Sequence, residues 1–443
     1  MRRLLFIFSF LSLLVVDGKA QEVETLTLED CLRIGIDNNL SLEGKRKEIQ
    51  KSKYGVSENR SKLLPQITVI AGYNNNFDPP VSVTDGSSYG VPYNITKTLQ
   101  HTANAGLEMQ MPLFNQTLYT SMSIAKVMEE ISRLSYGKAR EDIIMQISKM
   151  YYLGQVTAEQ IVLIKANITR LEELRDITQA FFDNGMSMEV DLKRVNINLE
   201  NLKVQYDNAQ AMMKQQLNML KYIMDYPAEK EFVLTPVNTD SITTVALTGL
   251  SENIYELQLS QSQVQLAEKQ KKIVSNGYIP SLSLTGSWRY AAYTDKGYHW
   301  FHSGPSNHWF RSYGLGLTLR IPIFDGLDKT YKIKKAMIDI ENSKLAWENA
   351  RKSLQTQYLN AVNDLMNNQR NFKKQKDNYL LAEDVYTVTS DRYREGIASM
   401  TEVLQDEMQM SEAQNNYISA HYNYRITNLM LLKLTGQIES LVK

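Results

Sequence analysis

Cysteine is almost missing from this chain, proline and glycine are scarce, and neither sign of charge prevails. The one cysteine in 443 residues, Cys31 in TLEDCL, excludes an intrachain disulfide framework. No small-residue box precedes it, so it is not a lipid-attachment site, and it reads as a small buried helix residue. Forty-nine basic residues balance 49 acidic ones, which leaves no electrostatic footprint for nucleic acid. Beyond Gln21 no stretch approaches the roughly 18 apolar residues of a transmembrane helix. A phosphate-cradling glycine loop, HEXXH and GXSXG are absent as well, so no catalytic constellation is found, and no cofactor is called for.

What is present begins with an export signal over residues 1–20. Arg2 and Arg3 precede the apolar run Leu4–Val16, and Gly18 and Ala20 stand at the small-residue cleavage positions. The run is too short to span a bilayer. The mature chain is therefore exported, either as a soluble protein or as a β-barrel of the outer membrane.

The few prolines partition the rest. Leu113–Tyr226 and Ile323–Lys443 contain none, and proline is disfavoured in helix interiors. In the first window Ile143, Ile147, Met150, Gly154, Thr157 and Ile161 step by three and four; in the second Trp347, Ala350, Leu354, Tyr358 and Ala361 do the same. This stripe predicts long helices with coiled-coil seams. Each window is broken once, by FDNGMS at Gly185 and by YREGIAS at Gly396. Glycine just past a helix end supplies a left-handed stop, so each window is a helical hairpin, with long arms of about 100 Å and short arms of about 50 Å. The proline-bearing stretches instead alternate with period two. In TANAGLEMQM, SLSLTGSWRY and YGLGLTLRI, and more weakly in QITVIAGY, apolar residues face one way and polar or small ones the other. Strands of this kind suit a membrane barrel with a wet lumen, and the aromatic residues Trp288, Tyr290, Tyr293, Trp300, Trp309 and Tyr313 suit its interfacial girdle.

The two halves align. LLPQITVIAGY (63–73) matches YIPSLSLTGSW (278–288), GLEMQMPLFN (106–115) matches GLTLRIPIFDG (316–326), and Gly185 matches Gly396. This predicts a first repeat over 21–224 (strand pair 65–113, turn near 185), an inter-repeat segment 225–250, a second repeat over 251–436 (strand pair 280–323, turn near 396) and a tail 437–443. Four strands cannot close a barrel in lipid, where open edges leave backbone groups unpaired, so a cyclic assembly must supply the rest.

Taken in order and twice, these motifs resemble the TolC-like outer-membrane efflux proteins (outer membrane factors) across essentially the whole mature sequence. The resemblance implies an α+β, mainly α fold: a homotrimeric outer-membrane β-barrel, four strands per chain and twelve in total, continued by a long periplasmic α-helical barrel. A small mixed equatorial domain would come from the inter-repeat link and the chain ends. It also implies an exit duct of a tripartite efflux or type I secretion system, set in the outer-membrane lipid of a Gram-negative bacterium. Such a duct passes substrates from an inner-membrane pump, an RND or ABC transporter, and a periplasmic adaptor to the exterior. The competing reading is a soluble periplasmic coiled-coil scaffold protein.

The resemblance further places the adaptor-docking turns at Gly185, Met186 and Ser187 and at Gly396, Ile397, Ala398 and Ser399. Gate positions fall on Tyr393, three before the second glycine, Glu402, six after it, and Asp191, six after the first. Ala398 stands where an arginine is expected and Gln405 where a second acid is expected, which puts an arginine latch in question. His299, His302 and His308, in GYHWFHSGPSNHW, have no metal-site spacing and read as an exposed aromatic loop.

Overall fold

A computed structural model describes residues 24–237, 249–294 and 308–442 of the protein. The export signal, His299, His302 and Trp300 lie outside the described residues, and of His308 only the backbone is described. In chain order the elements are β1 (Glu24–Leu26), α1 (Leu28–Asn38), α2 (Leu40–Ser61), β2 (Gln66–Asn75), β3 (Val81–Asp85), β4 (Tyr93–Lys97), β5 (His101–Phe114), α3 (Gln116–Asp183), α4 (Glu189–Met224), β6 (Phe232–Leu234), α5 (Tyr255–Asn276), β7 (Ser281–Thr294), β8 (His308–Arg320), α6 (Asp328–Arg394) and α7 (Met400–Leu434). Single 3-10 turns occupy Ser87–Tyr89 and Ile438–Val442. The chain is mainly α, with the four principal strands where period-two patterning puts them. Two compact units share these elements.

One unit comprises the described residues of Ser41–Arg140 and Leu250–Gln357. Its centre is an antiparallel sheet in the order β2–β5–β7–β8. The register sets Gln66 opposite Gln110, Gly106 opposite Arg289 and Trp288 opposite Tyr313. Because side chains alternate across a strand, Ile67, Val69, Leu107, Met109, Leu284, Trp288, Leu315 and Leu317 share one face, and Thr68, Glu108, Gln110, Ser287 and Arg289 share the other. The apolar face is not covered by this chain: Val69 is 73% exposed and Leu315 80%. Tyr293 departs from the girdle expected for it. It lies on the polar face, tilted against Phe310, because it is an odd number of residues from Trp288. Pro112 cannot donate to the ladder, and the register shifts between Pro112 and Phe114, where β5 ends. The stretch between β2 and β5 holds the hairpin of β3 and β4, with Val83 opposite Ile95.

The other unit comprises the described residues of Met1–Leu40, Glu141–Gly249 and Tyr358–Lys443. Here β1 pairs in parallel with β6, Glu24 opposite Phe232. Thr27 and Asp30 form a capping box that starts α1, and Cys31 on that helix is fully buried. Burial pushes its thiol up to about 12, leaving it protonated and unreactive at neutral pH. The distal parts of α3 and α6 and the first parts of α4 and α7 share a core of Leu171, Leu174, Val195, Leu199, Tyr386, Tyr393, Val403 and Met410.

Candidate functional site

The two helix turns are built the same way. Gly185 and Gly396 have φ of 71° and 76°, a left-handed conformation that glycine adopts without a Cβ clash. At the first, the Gly185 N–H donates to Phe182 O (2.9 Å) and the Met186 N–H to Phe181 O (2.7 Å); at the second, Gly396 donates to Tyr393 O (2.9 Å) and Ile397 to Arg392 O (2.8 Å). Each pair is a Schellman motif that satisfies the last carbonyls of a long helix. Met186 and Ile397, next to the glycines, are 71% and 62% exposed.

The returning helices start differently. Ser399 caps α7: the Glu402 N–H donates to Ser399 Oγ (3.3 Å), while Ser399 N–H and its hydroxyl donate to Glu402 Oε2 (2.7 and 3.1 Å). Met188 stands at the equivalent place before α4 and makes no side-chain cap. The acid six residues after each glycine therefore has two different jobs. Glu402 folds back on its own helix start. Asp191 is left to pair with Arg194 at 3.2 Å.

Arg194 also donates to Thr401 Oγ1 at 3.4 Å, so one guanidinium ties the start of α4 to the start of α7. Sequence reasoning missed it. The signal was the Asp191–Arg194 spacing of three on a helix, which puts both on one face.

Tyr393 is buried, not presented at the surface. Its ring lies 5.7 Å from Phe181, and its hydroxyl donates to the buried Thr178 Oγ1 at 3.3 Å. Thr178, also missed, donates in turn to Leu174 O at 2.7 Å. Tyr393, Asp191 and Glu402 thus fall within one tip region, but among the described residues no hydrogen bond or ion pair joins any two of them directly.

The backbone N–H of Ser399, and then its hydroxyl, hold the Glu402 carboxyl below its ordinary value of 4.5. A depressed folded value means that the cap's contribution is full above the ordinary carboxylate range and is lost as pH falls through the lower folded value. Ser399→Ala removes the cap at a cost of about 1 kcal/mol. Hydrogen exchange at the Glu402 amide should then accelerate about fivefold at neutral pH, whereas Met188→Ala, with no cap bond to lose, should leave the first turn of α4 unchanged.

The sequence model of the outer membrane efflux proteins matches the chain twice, over residues 34–224 and 248–437. The outer membrane protein TolC of Vibrio cholerae is 21% identical over 396 residues, spanning 86% of this chain and 84% of that protein. The toluene efflux pump outer membrane protein TtgC of Pseudomonas putida is 23% identical over 382 residues, 81% of this chain and 75% of that one. Among solved structures, the outer-membrane channel OprN superposes with a TM-score of 0.75 over 93% of this chain and 90% of its own, at 14% identity. The open state of the MtrE outer membrane channel of Neisseria gonorrhoeae gives 0.73 over 92% and 88%, at 18% identity. Both share the fold.

Proposed function

The chain belongs to the outer membrane efflux protein family, and from this premise we propose that three copies build one duct that an adaptor and an inner-membrane pump meet from the periplasm. Its place in the Gram-negative outer membrane and its work as an exit channel of efflux follow from the family and its relatives. The observation that carries the trimer is the sheet itself. Its order leaves β2 and β8 as bare edges, and its apolar face is exposed. In lipid every such edge must be paired, and single-chain bacterial barrels begin at about eight strands. Three copies of four strands join β8 of one to β2 of the next, give twelve, and turn the apolar face to lipid.

The same reading takes the chain as a duplicated half, 21–224 and 251–436, linked by 225–250 and ended by 437–443. In support, the order helix, strand, strand, long helix, glycine turn, helix occurs twice, as α2, β2, β5, α3, α4 and as α5, β7, β8, α6, α7, with β3 and β4 inserted in the first copy. The compact units cut across these repeats because each repeat contributes both strands and hairpin.

A periplasmic adaptor docks on the turns Gly185–Ser187 and Gly396–Ser399, where Met186 and Ile397 offer exposed apolar side chains. An RND or ABC transporter supplies the substrates. Tyr393, Asp191 and Glu402 belong to a gate at the hairpin tips, and Arg194 supplies a link between hairpins that Ala398 cannot.

Fractionation tests the duct. The protein should sediment with the outer membrane, run as a trimer in mild detergent and conduct ions in planar bilayers. Release with the periplasm, as a coiled-coil scaffold would be released, overturns it. The gate is tested separately. Tyr393→Phe and Glu402→Gln channels should differ from the parent in conductance or cation selectivity. Parental values in both remove the gate and leave the duct.

A further inference from the structure

The polar face of the four-stranded sheet carries little charge. Glycine, serine, threonine, asparagine and glutamine dominate it. Among the described residues of the four strands, its charged side chains are Glu108, Arg289 and, at the last residue of β8, Arg320. Glu108 Oε1 and Arg289 Nη2 lie 2.6 Å apart, with both side chains a little under half exposed. The contact is diagonal: Arg289 stands opposite Gly106, and Glu108 opposite Ser287. A Cβ at Gly106 would lie 3.2 Å from that of Arg289, so the missing side chain leaves the space beside which Arg289 extends to Glu108.

The pair sits on a particular seam. β5 is the last strand of the first half and β7 the first strand of the second, so their ladder joins the halves within one chain. In the repeat alignment Glu108 corresponds to Thr318 and Arg289 to Asn74. Those two neutral residues lie on β8 and β2, the edges left to pair between copies. A closed barrel therefore carries three such pairs and not six, one per chain, at a single level of its wall.

We propose that Arg289 is a selectivity-determining residue of the barrel lumen: it neutralises a ring of three Glu108 carboxylates that would otherwise make this section prefer cations. The inference rests on the trimeric duct reading. Polar-face substitutions in membrane barrels tune selectivity, and the Debye length at 0.1 M salt, about 10 Å, is comparable to the half-width of such a lumen. Three uncompensated carboxylates about 10 Å from an axial ion, screened over one such length, shift the ratio of cation to anion permeability about fivefold.

The experiment is the reversal potential of reconstituted trimers across a potassium chloride gradient at about 0.1 M. Arg289→Gln is expected to raise the ratio of potassium to chloride permeability about fivefold, and Glu108→Gln to lower it by a similar factor. Arg289→Lys, and the double variant E108Q/R289Q, are expected to return to the native ratio, the double variant also showing that the sheet folds without the pair. Single variants that conduct with the native ratio overturn the inference and leave the duct standing. So do variants that reduce only the yield of trimer, since the pair then serves strand pairing alone. Native trimers that carry no current overturn the duct reading and, with it, this one.

Discussion

Replacing Gly106 by alanine removes the outer-membrane form of the protein. A Cβ built on Gly106 lies 2.4 Å from the carbonyl oxygen of Trp288 and 2.9 Å from the Cα of Arg289. Both are backbone atoms of β7, the strand that β5 pairs with along most of its length. No rotamer relieves such a clash, so the two strands must separate around it. The cost exceeds the ~1–3 kcal/mol of ordinary overpacking, and it falls on the ladder that joins the two halves of the sheet. The measurement is the amount of detergent-stable trimer in the outer-membrane fraction, which should drop to background for Gly106→Ala. Gly72→Ala is the internal control. Gly72 lies on the same face of the same sheet, but its added Cβ meets the side-chain amide of Asn104, with the oxygen nearest at 2.9 Å. That amide can rotate away, and the variant should assemble as the parent does. Equal loss in both variants would show that this face tolerates no side chain at either position, and that the backbone clash is not the cause.

Tyr393→Ala should destabilise the hairpin tips by about 3–5 kcal/mol, the range for truncating a buried aromatic side chain. Tyr393 is 6% exposed and packs with α3, α4 and α7 residues in a single cluster. Its loss opens a cavity next to Phe181. Tyr393→Phe, by contrast, removes only the 3.3 Å hydrogen bond to Thr178. Thr178 keeps its bond to Leu174 O, so no buried donor is orphaned and the cost stays within about 1 kcal/mol. Denaturant unfolding of the helical signal in detergent-solubilised protein separates the two. A Phe variant as unstable as the Ala variant would mean that the hydroxyl, not the ring, holds the tip. A conductance change in Tyr393→Ala alone reports loosened packing, whereas one in Tyr393→Phe reports a latch.

The long helices and the principal strands could be read from local patterning because each depends on a short period: three to four residues for the seams, two for the sheet. The glycine turns were legible for a similar reason, since Gly185 and Gly396 each interrupt a proline-free helical window. The parallel pairing of β1 with β6 was not. It joins Glu24 to Phe232 through three-residue strands, too short for any period to register. The hairpin of β3 and β4 hides among prolines, glycines and serines that read as loop. At the tip, sequence position located Tyr393, Asp191 and Glu402 but not their surroundings. Burial of Tyr393 depends on four helices meeting, and the contrast between Glu402 and Asp191 depends on whether serine or methionine stands three residues earlier. The spacing of Asp191 and Arg194 pointed to their pairing, but the bond from Arg194 to Thr401 depends on α4 and α7 lying side by side.

The two bare edges of the four-stranded sheet bear on how the protein reaches its destination. Until copies meet, each chain in transit exposes unpaired amide and carbonyl groups along β2 and β8, beside an apolar face with Leu315 80% exposed. Such edges pair with any strand available. Biogenesis therefore favours order of events over speed: the helical hairpins, whose contacts are local, can form early, while the sheet must stay unformed or be shielded by a carrier until insertion and trimer closure occur together. A chain that completes its sheet alone in the periplasm is on the route to aggregation.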